Sequence, residues 1–179
     1  MIDNKYFEDI YEQYKNIVFN LCLNYVLQVE EAQDITQEVF VKVYHRFQQY
    51  NPEKATIKTW ICQIAINQCL DFLKSKKTSR RFGFLTSLFY QDTNEPIETA
   101  INILHPGIAA EDKDGLEKLL KIIYTLPDNQ KTAIILTKVE GRPQLEVAEI
   151  MNISIKAVES LLQRAKQNIA KKLTDTEGL

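Results

Sequence analysis

The sequence predicts an all-α protein made of two small helical domains joined by a flexible linker. Nearly every long segment repeats apolar residues at steps of three and four, the period of an amphipathic helix. We find no convincing run with the alternation of a half-buried strand. The helical period breaks down over residues 78–111, where glycine, proline and acidic residues accumulate. A chain of 179 residues has room for one medium domain or two small ones.

The first domain, residues 1–81, is predicted to contain three helices. Asp3 or Asn4 is expected to cap the first helix, and the second runs over about residues 30–50. A proline at position 52 ends the second helix because the residue before proline is pushed out of the helical region. The third helix begins near Thr56, a plausible cap, and ends in a basic run over residues 74–81.

The second domain, residues 112–179, is predicted to contain four helices. The first ends at Leu126-Pro127, and the second covers residues 128–140 and stops at a glycine. A short third helix covers residues 144–151, and Ser154 caps a fourth that ends near residue 173.

The linker, residues 82–111, is predicted to be more than a spacer. We expect a short helix around residues 97–103 and an apolar segment that water does not favour. We expect this segment to pack against a domain or an inhibitor in the free protein. Its apolar residues are Phe82, Phe84, Leu85, Leu88, Phe89 and Tyr90.

The formal net charge of −2 does not by itself favour a nucleic-acid partner. Charge is nevertheless unevenly distributed, and local fields decide anion binding. One stretch of eight residues holds five basic residues and no acid, and residues 155–173 hold five basic residues against one acid.

The three cysteines, Cys22, Cys62 and Cys69, are predicted to be buried free thiols. They are odd in number and widely spaced, with no pair separated by two residues. We expect no metal site, no cofactor and no catalytic nucleophile with its base. The N-terminus lacks the pattern of a signal peptide, and no apolar run is long enough to span a membrane, so we expect a cytoplasmic protein.

Residues 146–160 are predicted to form a helix-turn-helix. Small Ala148 lets the helices cross closely, Asn152 takes the tight turn, Ile153 fills the corner and Val158 anchors the second helix. An ordinary helical hairpin in an all-α core is the alternative. The side chains expected to face outward at the start of the second helix are Lys156, Glu159, Ser160, Gln163 and Arg164.

Two blocks resemble the sigma-70 family of bacterial RNA polymerase sigma factors. Residues 126–141, the helix-turn-helix and Arg164-Ala165-Lys166 resemble the C-terminal domain of that family. Residues 34–44 and 59–67 resemble its second region. Two such domains with only a linker between them resemble the small extracytoplasmic-function group. The resemblance implies a factor, not an enzyme, that binds core RNA polymerase and directs promoter-specific initiation.

The resemblance also assigns roles to residues of the first domain. The polar residues implied in binding core polymerase are Asp34, Gln37, Glu38 and Lys42, for which a solvated helix face is the alternative. The loop over residues 50–58 and the next helix are implied in reading the melted −10 element, and Asn67 in holding a flipped base. Trp60 is either a scaffold for the loop or a stacking platform. The −10 set is Lys54, Lys58, Thr59, Trp60, Asn67, Lys74, Lys76, Lys77, Arg80 and Arg81.

The helix-turn-helix is implied in reading the −35 element as duplex DNA. The residues are Lys156, Glu159, Ser160, Gln163, Arg164 and Lys166. Glu159 and Leu161 stand where many family members are basic, and Pro143 stands where Ser or Thr usually caps the first hairpin helix. Fewer positive charges imply fewer phosphate contacts and weaker autonomous −35 binding.

The implied partners are core RNA polymerase, promoter DNA and an anti-sigma factor, which is often membrane-bound in this family, with no small-molecule substrate. On polymerase, the acidic stretch over residues 92–98 is expected to enter a channel otherwise used by RNA. A helix-turn-helix regulator that never binds polymerase would not need the block over residues 34–47. A helical adaptor that binds only protein would not need the basic run over residues 74–81.

Overall fold

The chain divides into two compact units, Met1–Leu104 and His105–Leu179. The computed structural model describes the backbone of residues 3–82 and 110–177 and the side chains of residues 3–77 and 115–174. Every regular element in these ranges is helical, so the predicted all-α class with two helical domains is confirmed. The apolar segment, short helix and acidic stretch predicted for the linker lie at least in part within residues 83–109, outside the described residues.

Within residues 3–82, the described part of the first unit, the chain forms a bundle of three helices. They are α1 (Asn4–Val26), α2 (Val29–Arg46) and α3 (Ile57–Phe82), with a 3₁₀ turn at Phe47–Gln49. Each helix contacts the other two. The apolar stripes predicted by the helical period meet in the core, whose fully buried members include Val18, Leu21, Ile35, Val39, Val43 and Ile61.

The starts of α1 and α3 follow their predicted caps. The Asp3 carboxylate accepts the Tyr6 amide at 3.1 Å, and the Thr56 hydroxyl accepts the Thr59 amide at 3.1 Å. The second helix ends earlier than predicted, since its last turn tightens into the 3₁₀ turn. Leu27 closes α1 in the left-handed conformation with φ 60°, which no local residue type signalled.

All three cysteines are buried thiols that form no disulfide, as predicted. The helical period places Tyr11 on the apolar stripe of α1, but its side chain is 38% exposed and its ring packs edge-on against Phe40, with centroids 4.9 Å apart. Among the described helices, none combines the length and the apolar composition that crossing a membrane requires.

The second unit contains α4 (Ala110–Tyr124), α5 (Asp128–Ile134), α6 (Gln144–Met151) and α7 (Ile155–Glu177). A π-helical turn, Ile135–Val139, extends α5, where the sequence predicted one continuous helix. Helix α7 contacts α4, α5 and α6 and so organises the unit. The buried side chains around it include Leu120, Ile123, Leu126, Leu136, Val147, Ile150, Val158 and Ala165.

The corner between α6 and α7 has the predicted geometry. Asn152 ends α6 in the left-handed conformation with φ 52° and ψ 47°, and the Ile153 amide donates to the Ala148 carbonyl at 3.0 Å. The Ser154 hydroxyl accepts the Ala157 amide at 3.2 Å and thereby caps α7. Ala148 and Val158 are both buried.

Candidate functional site

One outward stripe of α2 carries the first group of candidate residues. Asp34, Gln37 and Glu38 are exposed and lie at helical spacing, so they share one face. Val41 continues the same stripe and is 56% exposed, although the sequence pattern did not indicate an exposed apolar side chain there. Lys42, the fourth predicted residue, is half-buried at the side of the stripe that faces α3.

Gln68 of α3 connects two members of this stripe. Its amide nitrogen donates to the Glu38 carboxylate, and its amide oxygen accepts from the Lys42 ammonium. A neutral amide therefore bridges an anion and a cation that stand four residues apart on α2. The bridge fixes both side chains at the α2–α3 junction, where the two helices pack against each other. Gln68 directly follows Asn67 in the sequence.

The loop between α2 and α3 is held by a local turn. The Asn51 side-chain oxygen accepts the Glu53 amide at 2.8 Å, and the Asn51 carbonyl accepts the Lys54 amide at 3.1 Å. Lys54 is exposed at the end of this turn, and Lys58 is half-buried in the first turn of α3. The loop thus presents one predicted basic residue to solvent from a fixed backbone.

Trp60 lies in an aromatic cluster under this loop. Its ring centroid is 5.3 Å from that of Tyr50 and 6.3 Å from that of Phe47, which in turn contacts Tyr6 at 5.7 Å. Burial raises the pKa of the Tyr50 phenol, with smaller contributions from Tyr6 and Tyr14. These contacts favour the scaffold role for Trp60 over the stacking role.

The remaining residues of the −10 set differ in their exposure. Asn67, Lys74 and Lys77 are exposed on α3, and the Lys74 ammonium lies 3.9 Å from the Asp71 carboxylate. Thr59 is only 3% exposed and its hydroxyl lies 3.0 Å from that of Thr56, so it helps to cap α3 and is not available to a ligand.

Lys76 is half-buried and forms an ion pair with a residue of another helix. Its ammonium lies 2.5 Å from the Glu31 carboxylate and 5.8 Å from the centroid of the Phe72 ring. A phosphate contact by Lys76 would compete with that pair. Arg80 and Arg81 belong to the last turn of α3, and their side chains are outside the described residues.

The outer face of α7 brings the third group together. Lys156, Glu159, Gln163, Arg164 and Lys166 are exposed, on the side opposite buried Val158 and Ala165. Ser160 is half-buried and its hydroxyl accepts from the Arg164 guanidinium at 3.0 Å.

Two further exposed residues lie on or beside this face of α7. Gln167 is exposed and shares the row of Lys156 and Gln163, since it lies one helical turn beyond Gln163. Ile155 is 42% exposed at the start of the helix. The helical period alone signals Gln167, whereas the exposure of Ile155 depends on how the corner packs.

Comparisons with known proteins match both units. The family described as Sigma-70 region 2 matches residues 10–79, and Sigma-70, region 4 matches residues 116–169. The chain is 27% identical over 181 residues to the ECF RNA polymerase sigma factor SigW of Bacillus subtilis, covering 97% of this chain and 91% of SigW. It is 29% identical over 172 residues to the ECF RNA polymerase sigma-E factor of Haemophilus influenzae, covering 96% and 89% of the two chains.

Two solved structures share the fold. CnrH, in complex with the cytosolic domain of CnrY, superposes with a TM-score of 0.64 at 16% identity and covers 97% of this chain and 90% of its own. The sigma factor RpoE, in complex with the anti-sigma factor NepR from Bartonella quintana, superposes with a TM-score of 0.62 at 18% identity and covers 95% and 98%.

Proposed function

We propose how this chain, which belongs to the extracytoplasmic-function group of the sigma-70 family, divides promoter recognition among its residues. The chain is a sigma factor: it binds core RNA polymerase and directs promoter-specific initiation. Sigma factors are initiation factors and not catalytic enzymes. The assignment of individual residues to polymerase, −10 and −35 contacts is our inference from the geometry.

The outward stripe of α2 is the proposed polymerase-binding surface. The observation that carries this proposal is an exposed valine, Val41, set among the exposed polar residues Asp34, Gln37 and Glu38. An apolar centre with a polar rim is the usual anatomy of a protein interface. Lys42 contributes at the edge, where the Gln68 bridge holds it.

Helix α3 and the loop that precedes it form the proposed −10 surface. A factor that opens DNA without hydrolysing ATP must offset a few kcal/mol of unstacking by capturing the unpaired strand. Exposed Asn67 has an amide that both donates to and accepts from a base edge. Lys54, Lys74 and Lys77 supply accessible positive charge for the backbone of that strand.

Helix α7 is the proposed −35 reader, with its first turns in the major groove. Lys156, Arg164 and Lys166 are exposed and suited to phosphate contacts, whereas Gln163 and Glu159 are suited to base edges. Glu159 can accept from a cytosine amino group, so we expect cytosine at the base pair that it faces.

We also propose that this chain acts in the cytoplasm, with the polymerase, and that an anti-sigma factor restrains it. Support for the anti-sigma factor comes from the RpoE structure of similar fold, which was solved with the anti-sigma factor NepR. Binding to purified core polymerase, measured by co-migration on a sizing column, tests the proposed function. A protein that never co-migrates with core polymerase would refute it.

Two substitutions on α7 should separate phosphate contacts from base contacts. Arg164→Ala should weaken binding to all −35 duplexes and reduce the slope of affinity against salt by about one phosphate contact. Gln163→Ala should change the preferred base while leaving the salt slope unchanged. Footprinting across a set of −35 sequences measures both effects, and two silent substitutions would leave α7 a purely structural helix.

Loss of the amide bridge at the α2–α3 junction should weaken polymerase binding. In Gln68→Leu, Glu38 and Lys42 can pair directly along α2 and turn away from the partner. We expect affinity for core polymerase to fall on the order of fivefold, about the contribution of one hydrogen bond. Competition against wild type measures it. Gln13→Leu, which removes an exposed glutamine from α1, is the matched control, and an equal loss there would contradict the prediction.

A further inference from the structure

Helix α6, the first helix of the helix-turn-helix, begins without a side-chain cap. Its first residue, Gln144, follows Pro143, whose φ of −59° and ψ of 145° place it at the cap position. The proline side chain carries no hydrogen-bond acceptor, so it leaves the amides of the first turn without the side-chain partner that Ser, Thr or Asp supplies.

Arg142, the residue before this proline, joins α6 to the preceding element. Its Nε lies 2.6 Å from the Glu140 carboxylate, and its terminal nitrogen Nη1 lies 2.8 Å from the Glu146 carboxylate. The Arg142 side chain is 8% exposed, and those of Glu140 and Glu146 are 12% and 26% exposed. Charged hydrogen bonds that are shielded from water in this way are strong and directional.

The two carboxylates come from opposite sides of the junction. Glu140 follows the π-helical turn that ends α5, whereas Glu146 is the third residue of α6. The Arg142 amide also donates to the Leu136 carbonyl at 2.9 Å, and Gly141 turns the chain with φ 67°. Backbone and side chain of Arg142 therefore both connect the end of α5 to the start of α6.

The position of Glu146 gives a physical reason for an arginine at position 142. In a capping box, the third helical residue is a Glu or Gln whose side chain accepts the backbone N–H of the cap residue. Proline has no N–H to donate. The Arg142 guanidinium supplies the donor that Pro143 lacks, and the same group holds Glu140.

We propose that Arg142 is a positioning residue for −35 recognition, which takes over the role of the missing cap and fixes the start of α6. Helix α6 contacts α7 and buries Val147 and Ala148, so the direction of α6 determines how α7 is presented to DNA. This inference rests on the proposed −35 role of α7 and adds a residue that does not touch DNA.

The test uses the full chain with core polymerase and two variants. Arg142→Met/Glu140→Gln removes the guanidinium and the more deeply buried of its two partner carboxylates. The second variant adds Pro143→Ser, which restores a cap hydroxyl and an N–H that Glu146 can accept. Initiation is measured on a promoter with both elements and on a template that carries only a pre-unpaired −10 element. The measured quantity is how strongly initiation by each variant depends on the −35 element. Thermal unfolding followed by circular dichroism shows whether each variant folds.

We expect the first variant to initiate about tenfold less on the two-element promoter and normally on the −10 template, because its first unit is unchanged. Adding Pro143→Ser should restore initiation to within about threefold of wild type. Such a rescue would not occur if the Arg142 side chain acted only by packing, because a new cap does not replace that packing. Wild-type initiation by the first variant would overturn the proposal. A second variant, with Pro143→Ser added, that folds but still initiates poorly would also overturn the proposal. This holds whether or not the first variant folds. If wild type itself ignores the −35 sequence, the proposed role of α7 fails, and the role of Arg142 fails with it.

Discussion

Reversing two charges on α2, Asp34→Lys with Glu38→Lys, should lower affinity for core polymerase by at least about a hundredfold. Both carboxylates lie on the exposed stripe around Val41, and a like charge placed against the partner costs several kcal/mol. The replacement of Glu38 also removes the acceptor of Gln68 and places a second cation near Lys42. Equilibrium competition against wild type for purified core polymerase measures the effect.

The matched control is Asp9→Lys, which reverses an exposed carboxylate on α1. It changes the net charge in the same direction but leaves the α2 stripe intact, so affinity should change by less than about twofold, as for a surface charge away from the contact. Equal losses in the control and in the double variant would mean that general electrostatics, and not the α2 stripe, governs binding.

Asn67→Ala should reduce promoter opening by about tenfold while leaving binding to an intact −35 duplex unchanged. The proposed partner of the Asn67 amide is a base that is accessible only after it leaves the stack. A pair of hydrogen bonds to a base edge contributes about 1–3 kcal/mol, which sets the expected size. Opening can be followed by permanganate reactivity of unpaired thymines, and binding by a duplex that contains only the −35 element.

A template with the −10 element already unpaired should reduce the defect of Asn67→Ala, since the cost of unstacking no longer opposes capture. Asn16→Ala, at an exposed asparagine of α1, should behave as wild type on both templates. If Asn67→Ala weakens binding to the intact −35 duplex as much as it weakens opening, Asn67 does not act by capturing a base.

Local signals explain why so much of the fold could be predicted. The caps at Asp3, Thr56 and Ser154 and the left-handed turn at Asn152 depend on residues within one helical turn, so the sequence alone indicates them. The apolar period likewise predicted which faces of α1, α2 and α3 meet in the core.

The details of the candidate site depend on contacts between distant residues. The family resemblance places Lys76 among the residues implied in reading the −10 element, but it pairs with Glu31 of another helix, which no local pattern indicates. The same holds for the Gln68 bridge between Glu38 and Lys42. Thr59 shows a different limit of prediction from sequence. Its hydroxyl lies beside that of the cap residue Thr56, so a residue one turn after a cap can be part of the capping interaction.

Run-off transcription with purified core polymerase on genomic fragments tests the central claim most directly. The account predicts that core polymerase alone gives no discrete transcripts and that adding this protein gives transcripts from specific start sites. Those start sites should share sequence elements near −35 and −10, with cytosine in the −35 element opposite Glu159. A protein that co-migrates with core polymerase but supports no initiation on any fragment would contradict the account.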